Sequence, residues 1–320
     1  MKMKKWLLAA FTLLLVAFLA ACGSDKAEDK NTAEADTKEA ETETITVTHE
    51  LGETTFDKNP EKVVVFDFGI LDSMDKLGIE AVAGVPQANI PAYLEKYSDA
   101  EKYENVGTLK EADFEAINAL KPDLIIISGR QASMYEEFAD IAPTIHMGVD
   151  TTKYMDSFTQ NMNTLGEIFG KEDQVKEELA AIDTQIEDLK TSVTDEKALI
   201  VLANEGKVSA YGVASRFGII HDVFGVKQAD EGIEASTHGQ SISFEYILET
   251  NPDMMFVVDR NAAVGNDASA KDSLENELVQ KTNAYQNDKI IYLDPDFWYL
   301  SGGGLQSVSQ MVTDIQSAFE

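Results

Sequence analysis

Two stretches of the chain read alike: Phe114–Arg130, FEAINALKPDLIIISGR, and Phe244–Arg260, FEYILETNPDMMFVVDR. A shift of 130 positions lays Phe114, Glu115, Ile117, Pro122, Asp123 and Arg130 over Phe244, Glu245, Ile247, Pro252, Asp253 and Arg260. In each copy a helix starts near Phe-Glu and stops before Pro-Asp, since proline has no N–H to continue the ladder. A buried strand follows and ends in arginine. Identical order and spacing across 17 positions predict two similar halves with a ligand cleft between them.

Working outward, the same α/β pattern recurs. Val63–Phe66 precedes the amphipathic Ile70–Leu77, and Leu124–Ile127 precedes Met134–Ile141. Tyr154, Phe158, Met162, Leu165 and Phe169, then Val175, Leu179, Ile182, Ile186 and Leu189, recur at helical spacing. Apolar strands resume at Leu199–Leu202, Met255–Val258 and Ile290–Leu293. The predicted fold is therefore α/β, with two α/β lobes joined by a long helical spine. Residues 45–150 form the N-terminal lobe, 151–194 the spine and the helix after it, and 195–320 the C-terminal lobe.

With 320 residues, 44% of them hydrophobic, the chain can bury a core of that size. Its 57 acidic and 26 basic side chains give a formal charge of −31, which leaves no basic surface for a phosphate backbone and excludes nucleic acid as a partner. A single cysteine excludes an internal disulfide and any Cys-rich metal site.

That cysteine, Cys22, follows an export segment. Lys2, Lys4 and Lys5 precede the uncharged apolar run Trp6–Ala21, too short for an ordinary membrane span, so residues 1–21 read as a signal peptide. The run ends Leu19-Ala20-Ala21-Cys22, which resembles the lipobox at which bacterial lipoproteins are cut and lipidated. Residues 22–44 read as the lipidated cysteine and a disordered acidic linker, since no large apolar residue lies between Gly23 and Thr44. The expectation is a monomer anchored to the outer face of the cytoplasmic membrane without spanning it. Cleavage removes three lysines and no acid, so the formal charge falls from −31 to −34.

The chain has only three arginines, Arg130, Arg216 and Arg260, among its 26 basic residues. Two end the duplicated strand and the third lies in the loop Ala214–Gly218. A guanidinium presents a planar fork of donors whose charge persists at every relevant pH, so it suits delocalised oxyanions better than an ammonium does. Lysine is read here as serving solubility, and the arginines as an anion site shared by both lobes. His238 and Tyr299, both in predicted loops of the second lobe, are the remaining candidates; phenolate and imidazole suit iron, but two side chains alone are too few to hold a bare metal.

Taken with the lipobox and the acidic linker, the motifs Ile127-Ser128-Gly129-Arg130, Ser215-Arg216-Phe217-Gly218, Ser236-Thr237-His238-Gly239-Gln240 and Trp298-Tyr299-Leu300-Ser301-Gly302-Gly303 resemble the ferric-siderophore-binding lipoproteins of ABC importers. These are class III periplasmic-binding-protein-like folds with a helical spine. The resemblance covers essentially the whole mature domain and is strongest to the catecholate branch, in particular the petrobactin-binding lipoproteins of bacilli. It implies a ferric catecholate as ligand, no intrinsic cofactor, and an arginine triad at Arg130, Arg216 and Arg260. Where a siderophore leaves iron sites open, it implies completion by His238 and Tyr299. It also implies docking through Glu115 and Glu245 on a permease whose ATPase subunits are separate, with small lobe movements.

Rival readings remain at this level. His49, His146, His221 and His238 with nearby acids could hold zinc or manganese, although three guanidinium groups would oppose a bare cation. Haem could use Tyr299 or His238 as an axial ligand. A cell-surface hydrolase would need an elbow or phosphate loop, and neither G-x-S-x-G nor G-x-x-x-x-G-K-[ST] occurs; the expectation is that the chain is not an enzyme.

Overall fold

The computed structural model describes residues 43–265 and 269–320. The signal peptide, Cys22 and nearly all of the linker lie outside the described residues. The chain enters through an antiparallel hairpin of β1 (Thr44–His49) and β2 (Gly52–Asp57), tied to the first lobe where Thr54 Oγ1 donates to the Thr144 carbonyl at 2.7 Å.

The first lobe follows as β3 (Val63–Val65), α1 (Phe68–Lys76), β4 (Val82–Val85), β5 (Glu104–Asn105), α2 (Phe114–Leu120), β6 (Leu124–Ile127), α3 (Tyr135–Ala139) and β7 (Thr144–His146). Its strands form one parallel sheet in the order β5-β4-β3-β6-β7. Alternate side chains of the fully buried β3, β6 and β7 go to opposite faces. Val64, Ile125 and Ile127 join Ile117 and Phe138 in a core on one face, while Val63, Val65, Leu124 and Ile126 join the main core on the other.

The spine is two helices, α4 (Tyr154–Phe169) and α5 (Glu172–Ser192), rather than one continuous rod. The break falls at Gly170, which takes the left-handed conformation (φ 62°) that only glycine adopts without penalty. Gly166 makes the tight turn possible: a Cβ there would lie 3.2 Å from the Glu172 Cα.

The second lobe contains β8 (Lys197–Asn204), β9 (Lys207–Tyr211), α6 (Ile219–Asp222), β10 (Lys227–Gln228), β11 (Gln240–Ile242), α7 (Phe244–Thr250), β12 (Met254–Asp259), α8 (Arg260–Ala263), α9 (Ala270–Leu274), α10 (Asn283–Gln286), β13 (Ile290–Leu293) and α11 (Leu305–Ser317). Its sheet runs β11-β9-β8-β12-β13, with β10 also on β8; the β8-β12-β13 portion is parallel, and β9 pairs antiparallel with both β8 and β11. Leu199, Val201, Met255 and Val257 face a separate core, and Ile200, Leu202, Phe256 and Val258 face the main one.

The duplicated stretch builds the same unit twice. Asp113 caps α2 by accepting from the Ala116 N–H at 2.9 Å, and Ser243 caps α7 by accepting from Tyr246 at 3.2 Å. Both helices end in a left-handed residue, Lys121 or Asn251, directly before the proline. The aspartates after the prolines then pin the neighbouring central strand: Asp123 accepts from the Lys62 N–H at 2.8 Å and Asp253 from the Lys197 N–H at 3.0 Å.

One apolar core runs through both lobes and the spine, including Val65 and Leu71 of the first lobe, Phe158 and Leu189 of the spine, and Phe256 and Ile315 of the second. The C-terminal α11 packs against both α5 and α1, so the last helix of the chain returns to the first lobe. A shared core of this kind resists a wide hinge, because separating the lobes would expose close-packed apolar surface.

Candidate functional site

Parallel strands deliver their carboxyl ends to the same side of each sheet, and ligand crevices of α/β folds form there. β6 exits into Ser128-Gly129-Arg130, and β12 exits directly into Arg260 at the start of α8. A cleft of about 310 Å³ is lined by Asn89, Thr108, Lys110 and Arg130 of the first lobe and by Arg260, Val264 and Tyr299 of the second, among others.

Tyr299 organises the three arginines. Arg130 and Arg216 both donate through Nη2 to its carbonyl oxygen, at 3.3 and 2.6 Å, while Arg260 Nε donates to its phenol oxygen at 3.0 Å. The Arg216 guanidinium also lies over the Tyr299 ring at 4.1 Å, a cation–π contact. Arg260 is steadied from behind by Asn204 Oδ1, 2.9 Å from its Nη1. Arg130 is exposed, whereas Arg216, Arg260 and Tyr299 are partly buried.

Among the described residues, none of the three arginines forms an ion pair with a carboxylate. In so acidic a chain, ordinary surface arginines would find such partners readily. Carbonyl and phenol oxygens orient the forks without neutralising them. Burial, then the neighbouring Arg130 charge, pushes the Arg216 pKa below its usual value. Burial alone would raise the Tyr299 phenol, but Arg216 and Arg260 outweigh it and hold the pKa below the ordinary tyrosine range.

Tyr299 sits in the π-helical turn Asp296–Leu300, closed by the Ser301 N–H donating to the Asp296 carbonyl at 3.1 Å. Such turns replace the ordinary ladder where a side chain must be re-aimed. Neighbouring Trp298 is buried and donates to Asp314 Oδ2 at 2.8 Å. The Arg216 loop is likewise built: the Ala214 N–H donates to Asp222 Oδ2 at 2.7 Å, and buried Ser215 donates to the Gly212 carbonyl.

His238 is exposed in the loop leading to β11 and is not among the residues lining the cleft. The four histidines do not converge: His49 bonds Thr54, His146 faces Glu50, and His221 bonds the Val226 carbonyl. Among the described residues, no group of three or more His, Cys, Asp or Glu side chains is arranged to hold a metal. Glu115 and Glu245 are exposed in the first turns of α2 and α7, at equivalent places on the two lobes.

Lys110 corrects the reading of lysine as serving solubility alone, since it lines the cleft beside Arg130. Buried Gln131 holds that corner together, with Nε2 donating to the Leu109 carbonyl at 2.6 Å and Oε1 accepting from the Ser128 N–H at 3.2 Å. Nothing in the sequence singles out Lys110 among so many lysines.

Fold and cleft together define a two-lobed α/β binding protein with a cationic crevice. Residues 63–297 match the model of the periplasmic binding protein family, and the chain belongs to that family. It is 51% identical to the petrobactin-binding protein YclQ of Bacillus subtilis, over 99% of this chain and 100% of that protein. The YclQ crystal structure superposes with a TM-score of 0.84 at 54% identity, covering 87% of this chain and 99% of the other. The ferric-anguibactin-binding protein FatB of Vibrio anguillarum is 35% identical over 86% of this chain and 88% of its own. The periplasmic catecholate-siderophore binding protein VctP of Vibrio cholerae superposes with a TM-score of 0.80 at 37% identity, covering 86% and 100%.

Proposed function

We propose that this chain captures a ferric siderophore of the catecholate class, of which petrobactin is one, and delivers it to the permease of an ABC importer. The observation that carries the reading is the set of three arginines oriented by one tyrosine, with no carboxylate among their partners in the described residues. A ferric catecholate is an anion whose charge is spread over phenolate oxygens, and guanidinium forks suit it. The relatives named for petrobactin, anguibactin and catecholate siderophores support the ligand class.

In this reading Arg130, Arg216 and Arg260 offset the charge of the complex. Tyr299, whose phenol ionises more readily beside two guanidinium groups, supplies an oxygen donor to iron where the siderophore leaves sites open. His238 would join it only by inward movement of its exposed loop. Glu115 and Glu245 present a matched pair of carboxylates to the permease, one on each lobe. A lipid on Cys22 keeps the monomer at the outer face of the membrane, and ATP hydrolysis belongs to separate subunits.

The test uses the fluorescence of Trp298, the only tryptophan left once the leader carrying Trp6 is removed. The mature protein is titrated with ferric catecholates, a ferric hydroxamate, haem and zinc. Saturable quenching by ferric catecholates is expected; a response confined to haem or zinc overturns the proposal.

A further inference from the structure

The turn that carries Tyr299 is held from the other lobe. The segment Ala92–Ser98 of the first lobe reaches across, and its Ala92 N–H donates to Asp296 Oδ2 at 2.7 Å. The next ring, Tyr93, stacks on Phe297 with centroids 4.4 Å apart and planes 21° from parallel. The Tyr93 hydroxyl lies within hydrogen-bond distance of both Asp72 Oδ2, at 2.8 Å, and Ser301 Oγ, at 2.6 Å, and its single proton is shared between these two acceptors. Ser301 Oγ in turn donates to the Asp296 carbonyl at 2.6 Å, closing the turn a second time beside the backbone bond.

Asp72 completes the connection. It is a fully buried carboxylate on α1, and its other contacts are the N–H groups of Gln306 and Ser307, both at 2.8 Å, at the start of α11. A helix N-terminus stabilises a carboxylate in this position. One acidic side chain of the first lobe thus ties together the segment that stacks on the Tyr299 turn and the helix that follows it.

The geometry points to Tyr93, backed by Asp72, as a positioning residue of the ligand site: its hydroxyl fixes Ser301 and the Asp296–Leu300 turn, and so keeps the Tyr299 oxygens where they gather the three guanidinium groups. The reason lies in like-charge repulsion. Arg130 and Arg216 meet at one carbonyl oxygen, and among the described residues their like charges are held together there by that oxygen, with Arg216 also lying over the Tyr299 and Phe217 rings. When the turn loses its anchor the oxygen shifts and the cationic cluster spreads, so ligand oxygens meet guanidinium groups that are no longer pre-oriented.

The inference rests on the ligand reading above, and its test separates the two. Tyr93→Phe removes the hydroxyl and keeps the stack on Phe297. Tyr97→Phe is the control, since it deletes a comparable hydroxyl on the same segment that bonds Asp75 instead. Ferric catecholate titrations should show Tyr93→Phe binding roughly fivefold more weakly than wild type, the size of one lost buried hydrogen bond, with Tyr97→Phe unchanged. In the ligand-free protein, the Nε–H NMR resonances of the three arginines, the only three in the chain, should shift in Tyr93→Phe and stay in place in Tyr97→Phe, because the guanidinium cluster has loosened. Should Tyr93→Phe fold poorly, Ser301→Ala interrupts the same chain one bond later and carries the same expectation. Wild-type affinity or unmoved arginine resonances in Tyr93→Phe overturn the inference, as do equal losses in the Tyr93 and Tyr97 variants. A wild-type protein that binds no ferric catecholate overturns the functional reading instead, and the arginine resonances of the ligand-free variants then decide the inference alone.

Discussion

Asp72→Asn should change how stability responds to pH, by an amount the structure allows to be worked out. Burial raises the Asp72 pKa from 3.8 to about 6, against the opposing hydrogen bonds from Gln306, Tyr93 and Ser307. These partners are neutral, so no opposite charge offsets the buried one. The folded state therefore holds a proton on Asp72 in a range where the unfolded chain has already lost it. Folding is penalised above about pH 6, where both states are ionised, and the penalty fades as pH falls toward the unfolded value. A shift of this size corresponds to about 3 kcal/mol. Wild type alone cannot reveal it, because the many other carboxylates titrate over the same range. The difference between wild type and Asp72→Asn cancels them. Urea unfolding followed by Trp298 fluorescence should show wild type gaining 2–3 kcal/mol on the variant, roughly, between pH 7 and pH 4. A constant difference across that window, or wild type losing ground on acidification, refutes the reasoning.

Three further outcomes are expected. Alanine at Arg216, partly buried against the Tyr299 ring, should weaken ferric catecholate binding by about 10- to 100-fold, and alanine at exposed Arg130 by less; unchanged affinity for all three single variants ends the shared-site reading. Tyr299→Phe should cost more with four-donor than with six-donor iron complexes in the same fluorescence titration, and equal losses would exclude iron ligation by the phenol. Phe158→Ala empties a fully buried position in the core common to both lobes and should destabilise the protein by about 3–5 kcal/mol, read from the urea midpoint; a cost below about 1 kcal/mol would mean the lobes do not share that core.

The duplicated unit was legible because its signals are local. Proline and aspartate at fixed spacing mark a helix end and a strand start wherever they occur, and both copies fold as that pattern predicts. The arginines stood out through scarcity. What brings them together was not visible, because the converging group is the backbone carbonyl of Tyr299, and every residue has a carbonyl. Asp72 was hidden for a related reason. Within Phe68–Lys76 it reads as an ordinary polar helical residue, and its burial depends on the N–H groups of a helix more than 230 positions later. Lys110 was hidden by the abundance of lysine.

The choice of partner for the arginines has a consequence for capture. Had each been paired with a carboxylate, an incoming anion would have had to displace a charge that the interior then left unpaired, a costly exchange. Carbonyl, phenol and amide oxygens instead orient the forks while leaving the positive charge available. The cost is the mutual repulsion of three guanidinium groups in the empty protein, and the rest of the fold resists it: Tyr299 is fixed by a turn that the opposite lobe grips, and both lobes share one core. The strongly negative charge of the chain does not cancel this site, because at physiological salt its field decays over about 8 Å, whereas the guanidinium groups act at contact. In the proposed reading, selectivity for a delocalised anion follows from orienting the three arginines with carbonyl, phenol and amide oxygens, with no acid among their partners in the described residues.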